Sequence, residues 1–179
     1  MELTDPSWVV WLLDDSKEQK NSIEKGLKDW FLGAKKAIIV GIGNPFRKDD
    51  FVGVEIVRSL KKMDSTNVYF IEAETIPESY MQKIVAFKPT HILLIDAGII
   101  NKEAGTALLA DPSQLIRKTS ISTHTLPLRI FCDYLTQTTA AKICLLIIQP
   151  LDTSFGEGLT KTLKNAATKI TILLQKIIP

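Results

Sequence analysis

The stretch AIIVGIGNPFRKDD, residues 37–50, decides the fold. Its first four residues are all apolar, which is typical of a strand that is buried on both faces of a parallel sheet. A turn with two glycines follows, and apolar residues then recur every four residues from Val52 to Leu60, as on one face of a helix. This stretch therefore predicts a strand–turn–helix unit of an α/β protein.

The same alternation of strand and helix continues along the chain. Apolar runs predict further strands at Val68–Ile71, His91–Ile95, Thr106–Leu109 and Ile143–Ile148. Helical spacing is found in Pro77–Phe87, Leu128–Leu135 and Leu159–Ile177. The loop before Thr106 is too short for a crossover helix, so that strand can run antiparallel. The residues predict one α/β domain over 35–179, with a mostly parallel sheet between helices.

The first 34 residues differ from the rest of the chain. They contain all three tryptophans and a surplus of acidic residues. Ile23, Leu27, Trp30 and Ala34 are spaced as on one helix face, and Gly33 is suited to end the helix. We therefore predict that 1–34 is an N-terminal helical extension packed on the domain, with docking of this helix on a partner protein as the alternative.

Composition excludes several classes of protein. The chain has 179 residues, 22 lysines and arginines, 20 aspartates and glutamates, and a net charge of +2. This balance argues against a protein built to bind nucleic acid or a membrane surface. With no signal peptide and no apolar run near the roughly 20 residues that span a bilayer, a cytoplasmic protein is expected. Cys132 and Cys144 lack metal-site or redox spacing and are predicted to be free, buried thiols.

Candidate functional residues follow the strands, because ligands of open α/β sheets bind beyond the carboxyl ends of the strands. The turn after the first strand ends in Asp49 and Asp50, and Asp96 follows the third strand. His124 precedes a helix whose Pro127 suits a first turn, so it faces the same edge. The other histidine, His91, begins a strand at the opposite edge, so we predict a structural role for it.

These residues have two other interpretations. Gly41 and Gly43 begin a dinucleotide-binding pattern, but Phe46 stands at its third glycine position and two acids would repel a pyrophosphate there. Nucleotide binding is therefore disfavoured. Helix capping explains Asp49 or Asp50 on its own, and a loop-capping role is the corresponding alternative for Asp96.

Together, Asp50, Asp96 and His124 form a set of two carboxylates and one imidazole. Such a set suits zinc or nickel, with coordination positions left open. The same two carboxylates could serve as general acid and base toward a bound water. Spacing alone does not choose between these roles.

The chain resembles the nickel–iron hydrogenase maturation endopeptidases, and within them the branch that serves formate-hydrogenlyase-type (hydrogenase-3-like) enzymes. The resemblance is carried by motifs that occur in the expected order from Ala37 to the C-terminal helix. These motifs are GIGNPFRKDDFVG (41–53), PE (77–78), KPTHILLIDA (88–97), THTLPL (123–128) and IQP (148–150). The extension 1–34 lies outside it, and Phe51 replaces a small residue that is common in relatives.

The resemblance implies a function and a site. Members of this family have a phosphorylase/hydrolase-like fold, a twisted five-stranded sheet with one antiparallel edge strand. They remove a C-terminal extension from the hydrogenase large subunit after nickel insertion, and the nickel in the precursor is the recognition signal. Its ligands correspond here to Asp50, Asp96 and His124, with Asp50 and Asp96 as candidate catalytic residues. Other divalent cations could occupy the site.

The partner is then the immature large subunit, and the chain is expected to act as a monomer. An extended peptide tail is expected to bind along 44–47 and 74–78, with Gly43, Asn44 and Thr75 in contact with it. Strand addition at a sheet edge is one way for it to do so. A non-catalytic chaperone that checks nickel loading would use the same residues and is the alternative function.

Overall fold

The computed structural model describes residues 11–13, 17–63, 65–112 and 125–179. The strands are β1 (Trp11–Leu13), β2 (Ala37–Ile42), β3 (Val68–Glu74), β4 (His91–Ala97), β5 (Ala107–Ala110) and β6 (Lys142–Ile148). The helices are α1 (Lys17–Phe31), α2 (Val52–Leu60), α3 (Met81–Phe87), α4 (Thr125–Thr138) and α5 (Lys161–Ile177). Single 3-10 turns at Lys48–Phe51 and Pro77–Tyr80 precede α2 and α3.

The strands form one mixed sheet in the order β1-β5-β6-β4-β2-β3. Strands β6, β4, β2 and β3 are parallel, and β5 is antiparallel to β6. These five strands confirm the predicted sheet of four parallel strands and one antiparallel strand. A sixth strand, β1, pairs with β5, so β5 lies one place in from the edge. Residues 11–34 therefore contribute a short strand as well as the predicted helix.

Helices cover both faces of the sheet, which explains the uninterrupted apolar runs. On one face, α1, α2 and α5 bury side chains such as Leu27, Ile56 and Leu163 against β2, β4 and β6. On the other face, α3 and α4 do the same with Ile84 and Phe131. Successive residues of a strand point to opposite faces of the sheet. Because helices exclude water from both faces, all six residues of β2 are buried and none of them is polar.

Glycines let helix α2 sit directly on the ends of the central strands. A Cβ at Gly53 would lie 2.1 Å from the carbonyl oxygen of Ile95, and one at Gly41 would lie 2.4 Å from the carbonyl oxygen of Gly53. A Cβ at Gly43, whose φ is +146°, would lie 1.9 Å from the carbonyl oxygen of Asp50. This close packing fixes the 3-10 turn Lys48–Phe51 above the carboxyl ends of β2 and β4.

The residues predicted to be structural are placed as expected. Cys132 and Cys144 are free and buried. His91 is buried at the amino end of β4, with its ring 5.0 Å from that of Trp30 and stacked on Phe31. Burial lowers the pKa of His91, and Lys142 adds to this effect. Within the described part of the chain, no helix is long and apolar enough to cross a bilayer.

Candidate functional site

Asp50 lies on the 3-10 turn between β2 and α2, and its side chain is 2% exposed. Its Oδ2 accepts a hydrogen bond from the backbone N–H of Asn44 at 2.9 Å. The Asn44 side chain in turn accepts from the N–H of Phe46, which shapes the turn. The loop 43–46 therefore wraps around the Asp50 carboxylate and holds it at the end of β2.

Asp96 is the second carboxylate of the site and is fully buried near the end of β4. Its Oδ1 accepts from the N–H of Ala97 at 2.8 Å. Gly41 on β2 pairs with Ile95 on β4, so the two strands end side by side. Because α2 is packed onto this edge at Ile95, the turn with Asp50 lies over the strand end with Asp96. The structure thus brings the two predicted acids to one edge of the sheet.

His124, the predicted third member, lies outside the described residues, and helix α4 begins at the next residue, Thr125. Among the described residues no group of three histidine, cysteine or acidic side chains is placed to hold a metal ion. The described site therefore consists of two buried carboxylates. Two carboxylates suit a divalent cation that takes its other ligands elsewhere, because carboxylate oxygens are common ligands of such ions.

The structure corrects the capping interpretation of Asp49. Its carboxylate does not cap the turn on which it lies, because that turn has no side-chain cap. Instead, fully buried Asp49 accepts hydrogen bonds from the N–H groups of Leu151, Asp152 and Thr160 and from the Thr160 hydroxyl. Adjacent residues on a helical turn point about 100–120° apart, so Asp49 and Asp50 face different surroundings.

Further bonds tie the site turn to the segment that follows β6. The N–H of Lys48 donates to the carbonyl of Gly156 at 2.9 Å, and that of Asp49 donates to the carbonyl of Asp152 at 3.1 Å. The Lys48 ammonium also binds the Asp152 carboxylate and holds its pKa well below the usual range. Sequence reasoning missed this connection because its two sides lie more than 100 residues apart.

The predicted substrate-contact residues lie on two neighbouring loops. The N–H of Gly43 donates to the carbonyl of Glu74 at 2.9 Å, which joins the loop of Gly43 and Asn44 to the loop of Thr75. Thr75 lines a cleft of about 380 Å³ together with Ile76 and Tyr80. The structure thus places these three residues side by side, next to the turn that carries Asp50.

A larger groove of about 680 Å³ runs between α2 and α5. Phe46 and Phe51 line it, and the Arg58 guanidinium lies 5.1 Å above the Phe51 ring. Phe51 thus faces this groove. Phe155 is 85% exposed and stacks on Phe46 at 6.4 Å, a pair that the sequence did not single out.

Comparison with known proteins shows the family to which the chain belongs. The family model of HycI, hydrogenase maturation protease, matches residues 54–177. The chain belongs to the hydrogenase maturation protease family. The HycI match confirms the resemblance inferred from the sequence motifs, including its hydrogenase-3-like branch.

Individual relatives of this maturation protease cover most of its length. It is 37% identical over 132 residues to a Methanocaldococcus jannaschii protein assigned as a hydrogenase maturation protease. The aligned region covers 69% of this chain and 78% of that protein. It is 24% identical over 133 residues to the hydrogenase 3 maturation protease of Escherichia coli, covering 74% and 85% of the two chains. The crystal structure of the NiFe hydrogenase maturation protease HycI from Thermococcus kodakarensis matches with a TM-score of 0.78 and 35% identity, covering 86% of this chain and 98% of that one.

Proposed function

We propose that this maturation protease is an endopeptidase that removes the C-terminal extension of a nickel–iron hydrogenase large-subunit precursor after nickel insertion. The observation that carries the proposal is the pair of buried carboxylates, Asp50 and Asp96, at adjacent strand ends. Ligands of open α/β sheets bind beyond the carboxyl ends of the strands, and both acids lie there. The partner is the immature large subunit, and the protein works as a monomer in the cytoplasm.

The nickel of the precursor is part of the substrate in this proposal. Asp50 and Asp96 supply two oxygen ligands, and His124 supplies an imidazole nitrogen. This donor set suits borderline divalent ions such as nickel and leaves positions for the ligands that the precursor brings. Such a bound ion can polarise a carbonyl group or lower the pKa of a water molecule. Other divalent cations could bind the same set.

The two carboxylates also supply the proton transfer that peptide hydrolysis requires. In this aspartic-type scheme, one carboxylate, of Asp50 or Asp96, accepts a proton from the attacking water as the water oxygen bonds to the peptide carbon. The carboxyl group then returns that proton to the leaving nitrogen when the C–N bond breaks. Because both side chains are held by backbone N–H groups, they are oriented before the substrate arrives.

The two joined loops, 43–47 and 74–78, are proposed to bind the extension of the precursor. They are connected by the Gly43–Glu74 hydrogen bond and lie next to Asp50. Strand β3 is an outer strand of the sheet and ends at Glu74, so an extended peptide could add to it before it reaches the site. Gly43, Asn44 and Thr75 would then contact the peptide near the scissile bond.

Mass spectrometry of a nickel-loaded large-subunit precursor tests the proposal. Incubation with the purified wild-type protein should shorten the precursor by the mass of its C-terminal extension. Asp96→Asn and His124→Ala proteins should leave the precursor intact. His91→Gln is the matched control, because it removes the only other histidine, at the opposite edge of the sheet, and should keep processing. A complex that forms without loss of mass would instead support the nickel-checking chaperone.

A further inference from the structure

Asp49 is a fully buried carboxylate to which the proposed chemistry gives no part. It nevertheless accepts four hydrogen bonds. Its Oδ1 accepts from the N–H of Thr160 at 2.7 Å. Its Oδ2 accepts from the N–H groups of Leu151 and Asp152 and from the Thr160 hydroxyl, each at 3.0 Å. All four donors belong to the segment 151–160, so this one side chain gathers the whole segment against the site turn.

Backbone hydrogen bonds run alongside the Asp49 side chain. The N–H of Lys48 donates to Gly156 and that of Asp49 donates to Asp152, while the N–H of Gly156 donates back to the carbonyl of Phe46 at 2.9 Å. We call residues 46–49 and 151–160, joined in this way, the clasp. Each side of the clasp both donates and accepts backbone hydrogen bonds, so the two sides are held firmly together.

The clasp continues directly into Asp50. The N–H of Asp50 donates to the carbonyl of Arg47 inside the clasp at 2.9 Å. Its carboxylate accepts from Asn44, on the far side of the same turn. A shift of the turn at Asp49 would therefore change the place of the Asp50 carboxylate relative to Asp96.

We infer that Asp49 is the positioning residue for Asp50. By anchoring the 3-10 turn to segment 151–160, it holds the Asp50 carboxylate in the arrangement that the reaction needs. This inference rests on the proposed function for its kinetic consequence, although the geometric part stands on the hydrogen bonds alone. The two neighbouring acids thus have different roles: Asp49 holds the turn in place, and Asp50 faces the substrate.

The chemistry of the side chain makes Asp49→Asn an informative change. A carboxylate has two acceptor oxygens, whereas an amide has one acceptor oxygen and an NH₂ group that only donates. In the Asp49→Asn variant, the NH₂ group would take the place of one acceptor oxygen and face an N–H group of the segment 151–160. Two donors cannot form a hydrogen bond with each other. Asparagine has nearly the same size as aspartate, so the loss concerns hydrogen bonding and not packing.

Kinetics on the nickel-loaded precursor provide the first test. Asp49→Asn should lower kcat/KM by about 10- to 100-fold, the effect expected for a misplacement of about 1 Å, because Asp50 serves both the nickel of the substrate and the reaction. Thr160→Val removes one of the four donors to Asp49 and also the side-chain cap of α5. It should lower kcat/KM less than Asp49→Asn, and Thr160→Ser, which keeps the hydroxyl, should restore it. Leu174→Ala, in the buried far part of α5, is the control that lowers stability without reaching the clasp.

The backbone amide of Asn44 provides a second test that requires no activity. Its N–H binds the Asp50 carboxylate, so its proton chemical shift and its hydrogen exchange report where that carboxylate lies. Asp49→Asn should shift this resonance, whereas Leu174→Ala should leave its chemical shift unchanged. Asp49→Asn should also speed the exchange of this amide by more than its change in global stability explains.

The outcomes separate the inference from the proposed function. If wild-type protein processes the precursor and Asp49→Asn keeps the wild-type kcat/KM, the inference is wrong. If wild-type protein leaves the precursor intact, the proposed function is wrong. The Asn44 amide resonance then tests the positioning role of Asp49 on its own. An unchanged resonance in Asp49→Asn overturns the positioning role, and a shifted one supports it. If Asp49→Asn does not fold, Thr160→Val replaces it in the kinetics and in the measurement of the Asn44 amide. Thr160→Ser is then its control.

Discussion

Replacing Gly53 by alanine should push helix α2 away from the strand ends. The added Cβ would lie 2.1 Å from the carbonyl oxygen of Ile95 and 2.6 Å from that of Ile42. Ordinary contact begins at 3.4 Å, so the helix must move by about 1.3 Å, the difference between 3.4 and 2.1 Å. Both obstacles are backbone atoms of β2 and β4, two interior strands, and such atoms cannot move away as the end of a flexible side chain could.

The expected energy has two opposing parts. In a helix interior alanine is favoured over glycine by about 1 kcal/mol, and at Gly53, the second residue of α2, the gain is at most this. Forcing an extra methyl group into a packed site costs about 1–3 kcal/mol, and the contact with backbone atoms places Gly53 in the upper part of that range, about 2–3 kcal/mol. We therefore expect a net loss of about 1–2 kcal/mol in the free energy of unfolding, contrary to helix propensity. Asp50 lies three residues before the moved atom, so processing should fall about 100-fold, as expected for a displacement near 1 Å.

Urea unfolding and processing of the nickel-loaded precursor measure the two effects. Ser59→Ala, in the same helix, is the matched control, because it gains helix propensity without a backbone clash and should keep the wild-type stability. A Gly53→Ala protein as stable and as active as wild type would refute the reasoning, since it would mean that α2 and the strand ends are not in tight contact.

Three further results are expected. Because burial lowers the pKa of His91, the unfolded chain takes up a proton on this residue near the ordinary value of 6.5, at higher pH than the folded protein does. Stability should therefore fall as the pH drops below 6.5, and the urea midpoints of His91→Gln should show a weaker decline. Burial raises the pKa of Cys132 and Cys144 to about 12, so neither should react with a disulfide reagent at pH 8 until the protein is unfolded. Lys48→Gln should raise the pKa of Asp152 toward its ordinary 3.8, as a carboxyl NMR titration would show, and an unchanged titration would contradict the role of the lysine.

The sequence predicted most of the sheet because its central strands are buried on both faces. Strands β2 and β4 consist of apolar runs, and their start positions were predicted correctly. The end of β2 was placed too early, because Gly41 interrupts the apolar run. Strand β1 was missed, since three residues are too few to show a periodicity and its place depends on pairing with β5.

The site was predictable where it follows from a local rule. Ligands of open α/β sheets bind beyond the carboxyl ends of the strands, and this rule selected Asp50 and Asp96. In the structure Asp50 lies on the turn after β2, and Asp96 is the next-to-last residue of β4. The role of Asp49 could not be predicted in this way. Its donors lie more than 100 positions further along the chain, and only the folded structure brings them to it.

This long separation has a consequence for the order in which the protein is made. Asp50 and Asp96 leave the ribosome well before Thr160, the last donor to the clasp. Contacts between residues so far apart close late in folding, because a long loop must first be ordered. A nascent chain shorter than about 160 residues therefore carries both acids without the anchor for the turn of Asp50. The turn of Asp50 therefore gains its anchor only when synthesis of the chain has passed Thr160.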